Sequence, residues 1–171
     1  DGFADTIDGF YGGKNKERIL EIMKDSRIGS IGVIGLIILL LLKIELLASL
    51  NIEILWKAII SMMFFSRFIQ VFLCNIYNYA REVGKAKHFI GNKNYIQILV
   101  TFIFTIAIIY FLFGYFSIIL ICLSLIPIYL YSVLIYRKIG GMTGDTIGAA
   151  SEISEVLFLI AILTFSKLLM I

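Results

Sequence analysis

Long apolar runs are the feature of this sequence that most restricts its fold. Five stretches each approach the roughly 20 apolar residues that an α-helix needs to cross the hydrocarbon core of a bilayer. The chain is 60% hydrophobic, whereas soluble domains are about 45–50% apolar. The sequence therefore predicts an all-α, polytopic transmembrane helix bundle with about five spans. These spans cover about residues 28–50, 54–73, 95–113 and 116–136, and a last run that starts near Thr146 or Ala149 and ends near Lys167.

The segment before the first span is more polar. Residues 16–27, KERILEIMKDSR, place apolar side chains between charges at helical spacing, which predicts a helix lying at the membrane interface. We expect residues 1–171 to form a single membrane-embedded catalytic domain. Because the first residue is Asp1 and not Met, we expect a processed chain or a fragment.

The distribution of positive charge predicts the orientation in the membrane. Lys and Arg gather in the polar loop 74–94 and at Arg137 and Lys138, whereas the turns at 43–53 and 114–115 carry little positive charge. By the positive-inside rule, the loops rich in Lys and Arg lie in the cytoplasm. The net charge of only +3 gives no argument for a nucleic-acid partner.

Three carboxylates open the chain. Asp1, Asp5 and Asp8 stand at positions i, i+4 and i+7, so a helix would present them on one face. Clustered like charges repel, and a divalent cation relieves that repulsion; Mg²⁺ favours carboxylates together with substrate phosphates. The alternative is that these residues only form turns or helix caps.

A second acidic group lies near the other end of the chain. Asp145 and Glu152 share a helix face, Glu155 lies about 60° further round, and all three are expected in the first turns of the last span. Gly140, Gly141 and Gly144 precede this group and Gly148 lies within it, which favours close contact with a ligand. The alternative is that Glu152 and Glu155 cap the start of the helix.

Basic side chains accompany the acids. Arg27, in the sequence KDSRIG, can grip a phosphate with two hydrogen bonds. Arg81 serves either as a similar ligand or as a positive-inside anchor. Arg67 falls within a span and is expected to face a polar cavity. Metal-binding acids beside phosphate-binding bases predict chemistry on a phosphorylated substrate.

Four segments together resemble the cobalamin synthase family, the adenosylcobinamide-GDP ribazoletransferases: DGFADTIDGF, EIMKDSRIGSIGV, NYAREVGK and GGMTGDTIGAASEISE. The resemblance implies a multi-pass protein of the inner (cytoplasmic) membrane that needs Mg²⁺, with its active site facing the cytoplasm. Such an enzyme joins adenosylcobinamide-GDP to α-ribazole or its 5′-phosphate, and it releases GMP and adenosylcobalamin or its 5′-phosphate. Members of the family begin with further membrane-spanning sequence before the DG motif, so we expect this chain to be truncated at its N-terminus.

Carried over residue by residue, the resemblance implies three groups of site residues. The metal ligands would be Asp1, Asp5, Asp8, Asp145, Glu152 and Glu155. Substrate phosphate would be bound by Lys24, Asp25, Ser26, Arg27 and Arg81. The catalytic residues would be Asp5, Asp8 and Asp145, and spacing leaves open whether Asp8 or Asp145 is the general base.

Other functions compete with this one. A CDP-alcohol phosphotransferase or a prenyltransferase would also use clustered aspartates to bind metal and diphosphate. A cation-coupled transporter would place carboxylates near the bilayer midplane, and we expect the middle of the spans to be almost free of acids. The expected partners are the two substrates and the lipid bilayer, with a homo-oligomer left open.

Overall fold

Within residues 1–169, which the computed structural model describes, the chain folds into seven α-helices and no β-strand. A short 3-10 turn, Lys85–His88, interrupts the loop between the fourth and fifth helices. The helices are α1 (Gly2–Gly12), α2 (Lys16–Ile22), α3 (Ser30–Ala48), α4 (Ile52–Ile76), α5 (Tyr95–Phe113), α6 (Phe116–Ile139) and α7 (Gly144–Leu169).

Local sequence explains where several helices begin and end. Asn15, Asn51 and Asn94 precede α2, α4 and α5, and each side chain accepts a hydrogen bond from the backbone three residues on. Gly140 ends α6 in the left-handed region, at φ +72°, which a residue without a Cβ adopts without strain. The predicted helix at 16–27 is shorter, because it ends at Ile22.

Helix α7 is the centre of the bundle, since it packs against α1, α3, α4 and α6. Phe65 of α4 and Phe158 of α7 stack in the core with their ring centroids 5.0 Å apart. Small side chains fill the remaining close contacts; Ser61, Ala150 and Ser154 are fully buried. Small residues let helix backbones approach closely in a lipid environment, where apolar burial drives little association.

Helices α3 to α7 are long and apolar enough to cross a membrane, so five spans are confirmed in the described part of the chain. Large apolar side chains on α3 and α5 remain exposed, as expected for surfaces that face lipid. At one end of the bundle, the polar loop after α4 pairs with the turn before α7: the Met142 N–H donates to the Asn78 carbonyl (2.9 Å) and the Ala80 N–H donates to the Met142 carbonyl (2.9 Å).

The structure corrects the predicted depth of several charges. Since α7 begins at Gly144, Glu152 and Glu155 lie about 12 and 16 Å along its axis and not in its first turns. Lys43, the first residue of the turn predicted at 43–53, lies about 20 Å along α3 and before its end. The middle of the spans is therefore not free of charge, and the corresponding argument against a transporter was wrong.

Candidate active site

The two acidic groups predicted from the sequence meet where α1 crosses the start of α7. A Cβ on Gly2 would lie 2.9 Å from both the Cα and the carbonyl oxygen of Asp145, so only glycine allows this approach. Asp5 lies one turn further along α1. Burial first, and then the neighbouring Asp145 carboxylate, raise the pKa of Asp5 above its ordinary value. Carboxylates far apart in the sequence thus share one site.

Arg81 is the third residue of this meeting point, which also contains Asp5 and Asp145. Its Nη2 donates to the Asp145 carboxylate (2.9 Å) and to the Met23 carbonyl (3.4 Å). Its Nε is buried and has no hydrogen-bond partner among residues 1–169. Because a guanidinium has several donors in a fixed plane, Arg81 can hold Asp145 through Nη2 and still have donors left for an anion.

Asp8 has a different environment from Asp5, although both lie on α1. Its two carboxylate oxygens accept hydrogen bonds from the backbone N–H groups of Gly29 (2.7 Å) and Gly32 (2.8 Å). These groups lie at the start of α3, where unpaired donors and the helix dipole favour a negative charge. A Cβ at Gly29 or Gly32 would collide with the Asp8 carboxylate. Asp8 therefore fastens α1 to the start of α3.

Glu152 and Glu155 are paired with Lys43, a residue that the sequence analysis placed in the turn at 43–53. Lys43 Nζ donates to the Oε2 atoms of Glu152 (2.6 Å) and Glu155 (2.7 Å). The other oxygen of Glu155 accepts from Ser66 Oγ (3.0 Å). A lysine within the apolar run LLLLKIELL was the signal for such a partner, since a charge inside a span needs one.

In the KDSR segment, Arg27 is turned toward Asp25. Arg27 pairs with Asp25 (2.8 Å), and its side chain is 87% exposed. Hydrogen bonds from Arg27 lower the pKa of Asp25 to about 2. The phosphate-binding role of Lys24, Asp25, Ser26 and Arg27 stays a prediction.

A cavity of about 290 Å³ opens beside the meeting point, between α1, α3, α4 and α7. Its polar lining includes Asp1, Gln70 and Glu152, and Leu36 and Leu39 of α3 form part of the apolar wall. Sequence reasoning did not single out Gln70. The cavity brings Asp1 and Glu152, from the two acidic groups, onto one surface.

Arg67 differs from its prediction. It donates to Ser151 Oγ (3.4 Å) and lines a recess with mainly apolar walls between α4 and α5. It therefore does not face the polar cavity beside Asp145.

The arrangement of acids can be tested against the predicted magnesium ion. In the range 1–169, no three His, Cys, Asp or Glu side chains converge as an all-protein metal site. Mg²⁺, however, is commonly held by one or two carboxylates, with substrate phosphates and water completing its six ligands. The Asp5–Asp145 pair, with Arg81 beside it and the Arg81 Nε unpartnered among the described residues, fits that pattern.

Comparison with known proteins decides the family. The model of the cobalamin-5-phosphate synthase family matches residues 1–163. The chain belongs to this family. Its membership removes the support for the CDP-alcohol phosphotransferase, prenyltransferase and transporter alternatives.

Curated relatives of this family member carry the name adenosylcobinamide-GDP ribazoletransferase. One from Clostridium novyi (strain NT) is 42% identical over 166 residues, covering 96% of this chain and 66% of the relative. Another, from Clostridium botulinum (strain Loch Maree / Type A3), is 45% identical and covers 95% of this chain and 66% of the relative. A third, from Fusobacterium nucleatum, is 38% identical and covers 93% of this chain and 66% of the relative.

The chain thus spans 66% of the length of these relatives. No solved structure matches it.

Proposed function

We propose that this chain forms the catalytic part of an Mg²⁺-dependent adenosylcobinamide-GDP ribazoletransferase. It would join adenosylcobinamide-GDP to α-ribazole, or to its 5′-phosphate, in the cytoplasmic membrane with the site facing the cytoplasm. The family membership and the names of the relatives support this activity. The observation that carries the proposal is the meeting of Asp5, Asp145 and Arg81 at the end of the bundle where the polar loops lie.

In the proposed reaction, a ribose hydroxyl of the acceptor attacks the diphosphate phosphorus nearer the corrinoid. The new P–O bond replaces the bond to GMP, which leaves with the electron pair, and the hydroxyl proton passes to a carboxylate. We assign that proton to Asp5. No hydrogen bond to its carboxylate is found in the described chain, so both of its oxygens remain able to accept a proton or bind a ligand. Both oxygens of Asp8 and one oxygen of Asp145, the predicted bases, already accept hydrogen bonds.

Arg81 would bind a non-bridging phosphate oxygen through a guanidinium donor that Asp145 does not use, while Asp145 keeps the guanidinium oriented. Asp5 and Asp145 would hold Mg²⁺ through their remaining oxygens, with Asp1 as a further carboxylate on the adjoining cavity. Glu152, which Lys43 already holds, would line that cavity and not bind the ion. When bound, the ion would neutralise charge on the diphosphate. Asp8 and Glu155 would reach it only by giving up their present hydrogen bonds.

The test measures GMP release from adenosylcobinamide-GDP, α-ribazole and Mg²⁺ in membranes that contain the protein at its native length. Asp5→Asn and Asp145→Asn are each expected to lower turnover by at least a hundredfold, the lower end for a positioned acid–base group. Glu53→Gln is the matched control, because Glu53 is exposed in the first turn of α4 at the opposite end of the bundle. Unchanged turnover in both aspartate variants would refute the proposal.

A further inference from the structure

The Lys43 cluster joins three spans well below the Asp5–Asp145 meeting point. Lys43 of α3 holds Glu152 and Glu155 of α7, and Ser66 of α4 holds the second oxygen of Glu155. The side chains of Lys43 and Glu155 are 16% and 11% exposed. A buried charge at this depth is costly unless it is paired and hydrogen-bonded, so the cluster has a specific task.

The two glutamates differ in what remains available. Both oxygens of Glu155 accept hydrogen bonds within the protein. Glu152 uses only Oε2 for Lys43; its side chain is 42% exposed and lines the cavity that Asp1 also lines. Of the two, Glu152 is therefore the residue placed to touch a substrate.

Helix α3, which carries Lys43, forms one wall of this cavity. Helix α3 buries few side chains, with only Gly32 and Leu39 buried along it. Polar contacts hold α3 at two places: hydrogen bonds to Asp8 at its start, and the ion pairs of Lys43 about 20 Å further along. Leu36 and Leu39 lie between them and form the apolar wall opposite the polar lining.

We propose that Lys43 is a positioning residue for the transferase reaction: it fixes Glu152 and the α3 wall so that the cavity accepts the uncharged, hydroxyl-bearing part of the nucleoside acceptor. The inference rests on the proposed function. Among the described residues, the polar side chains of the cavity lining are those of Asp1, Gln70 and Glu152, whose carboxylate and amide oxygens suit hydroxyl donors and disfavour phosphate. The diphosphate of the other substrate would stay beside Arg81.

The experiment compares steady-state kinetics of the native-length protein in membranes, normalised to folded protein. Lys43→Met is expected to raise KM for α-ribazole about tenfold or more, the loss expected for a hydrogen bond to a charged group, and to leave KM for adenosylcobinamide-GDP within about twofold. Glu152→Gln should give the same selective change, and adding Lys43→Met to it should produce little more. Lys43→Arg should restore much of the acceptor affinity, since it keeps the charge.

Ser66→Ala is the control, because it removes a hydrogen bond to Glu155 and leaves the Lys43–Glu152 pair intact; its KM for α-ribazole should equal that of the wild type. If Lys43→Met only lowers the amount of folded protein, with KM unchanged, then Lys43 has a structural role alone and the inference is overturned. If Lys43→Met does not fold, Glu152→Gln decides, and an unchanged acceptor KM overturns the inference. A wild-type protein that releases no GMP would refute the proposed function itself, which the other outcomes leave standing.

Discussion

Two aspartates on one short helix should respond in opposite ways to the same substitution. Asp8→Asn removes a carboxylate that accepts two backbone hydrogen bonds at the start of α3, at 2.7 and 2.8 Å. An asparagine keeps one acceptor oxygen and turns an NH₂ group toward the other backbone donor. One charged hydrogen bond contributes about 1.5–3 kcal/mol, and the charge at the helix start adds about 0.3–1 kcal/mol. We therefore expect a loss of about 2–4 kcal/mol.

Asp5→Asn should have the opposite sign. Burial and repulsion from Asp145 raise the pKa of Asp5, so the folded state binds its proton more tightly than the unfolded state does. The ionised carboxylate therefore destabilises the fold at pH values above its pKa, and the penalty disappears as the pH falls through that pKa. Replacing Asp5 with a neutral residue of the same shape removes the penalty at pH 7, so stability should rise.

Thermal unfolding of the purified, native-length protein in detergent checks both signs. The measurements use pH 7 with EDTA, so that no divalent cation contributes. At about 2–4 °C per kcal/mol for a chain of this size, Asp8→Asn should lower Tm by about 4–16 °C. Asp25→Asn is the control and should change stability by less than about 0.5 kcal/mol, since its pair with Arg27 is exposed. The reasoning fails if Asp5→Asn loses as much stability as Asp8→Asn, or if Asp8→Asn loses none.

Two further predictions concern the approach of α1 to α7 and the acidity of the site. Gly2→Ala should lower Tm and reduce GMP release at least tenfold, because its Cβ would lie 2.9 Å from the Asp145 backbone. Gly148→Ala is the control: its Cβ would meet nothing within 4 Å, so Tm should stay at or slightly above the wild-type value. Equal effects of the two substitutions would contradict this prediction. Protection by Mg²⁺ against thermal unfolding should weaken as the pH falls from 7 toward 5, because protons compete with the ion for the Asp5 carboxylate, whose pKa is raised. Protection that does not change with pH would exclude Asp5 as a ligand.

Local sequence determined the spans because their signal is local. A run of apolar residues long enough to cross the bilayer must satisfy its own backbone, and only a helix can do so. The small residue Gly32 near the start of α3 admits α1 closely: a Cβ there would meet the Ala4 carbonyl and the Asp8 carboxylate. The sequence resemblance pointed to the family that the comparison then showed.

The partner of each charge was decided only by the tertiary structure. Asp1, Asp5 and Asp8 are the same residue type and were predicted to share one helix face. In the structure, Asp5 lies near Asp145, Asp8 binds the start of α3, and Asp1 lines a cavity. Periodicity gives the face of a helix on which a side chain lies, whereas the groups opposite that face come from segments distant in the sequence. Lys43 illustrates this most clearly: its distance from Glu152 along the chain gave no indication of their 2.6 Å contact, which exists only because α3 and α7 pack side by side.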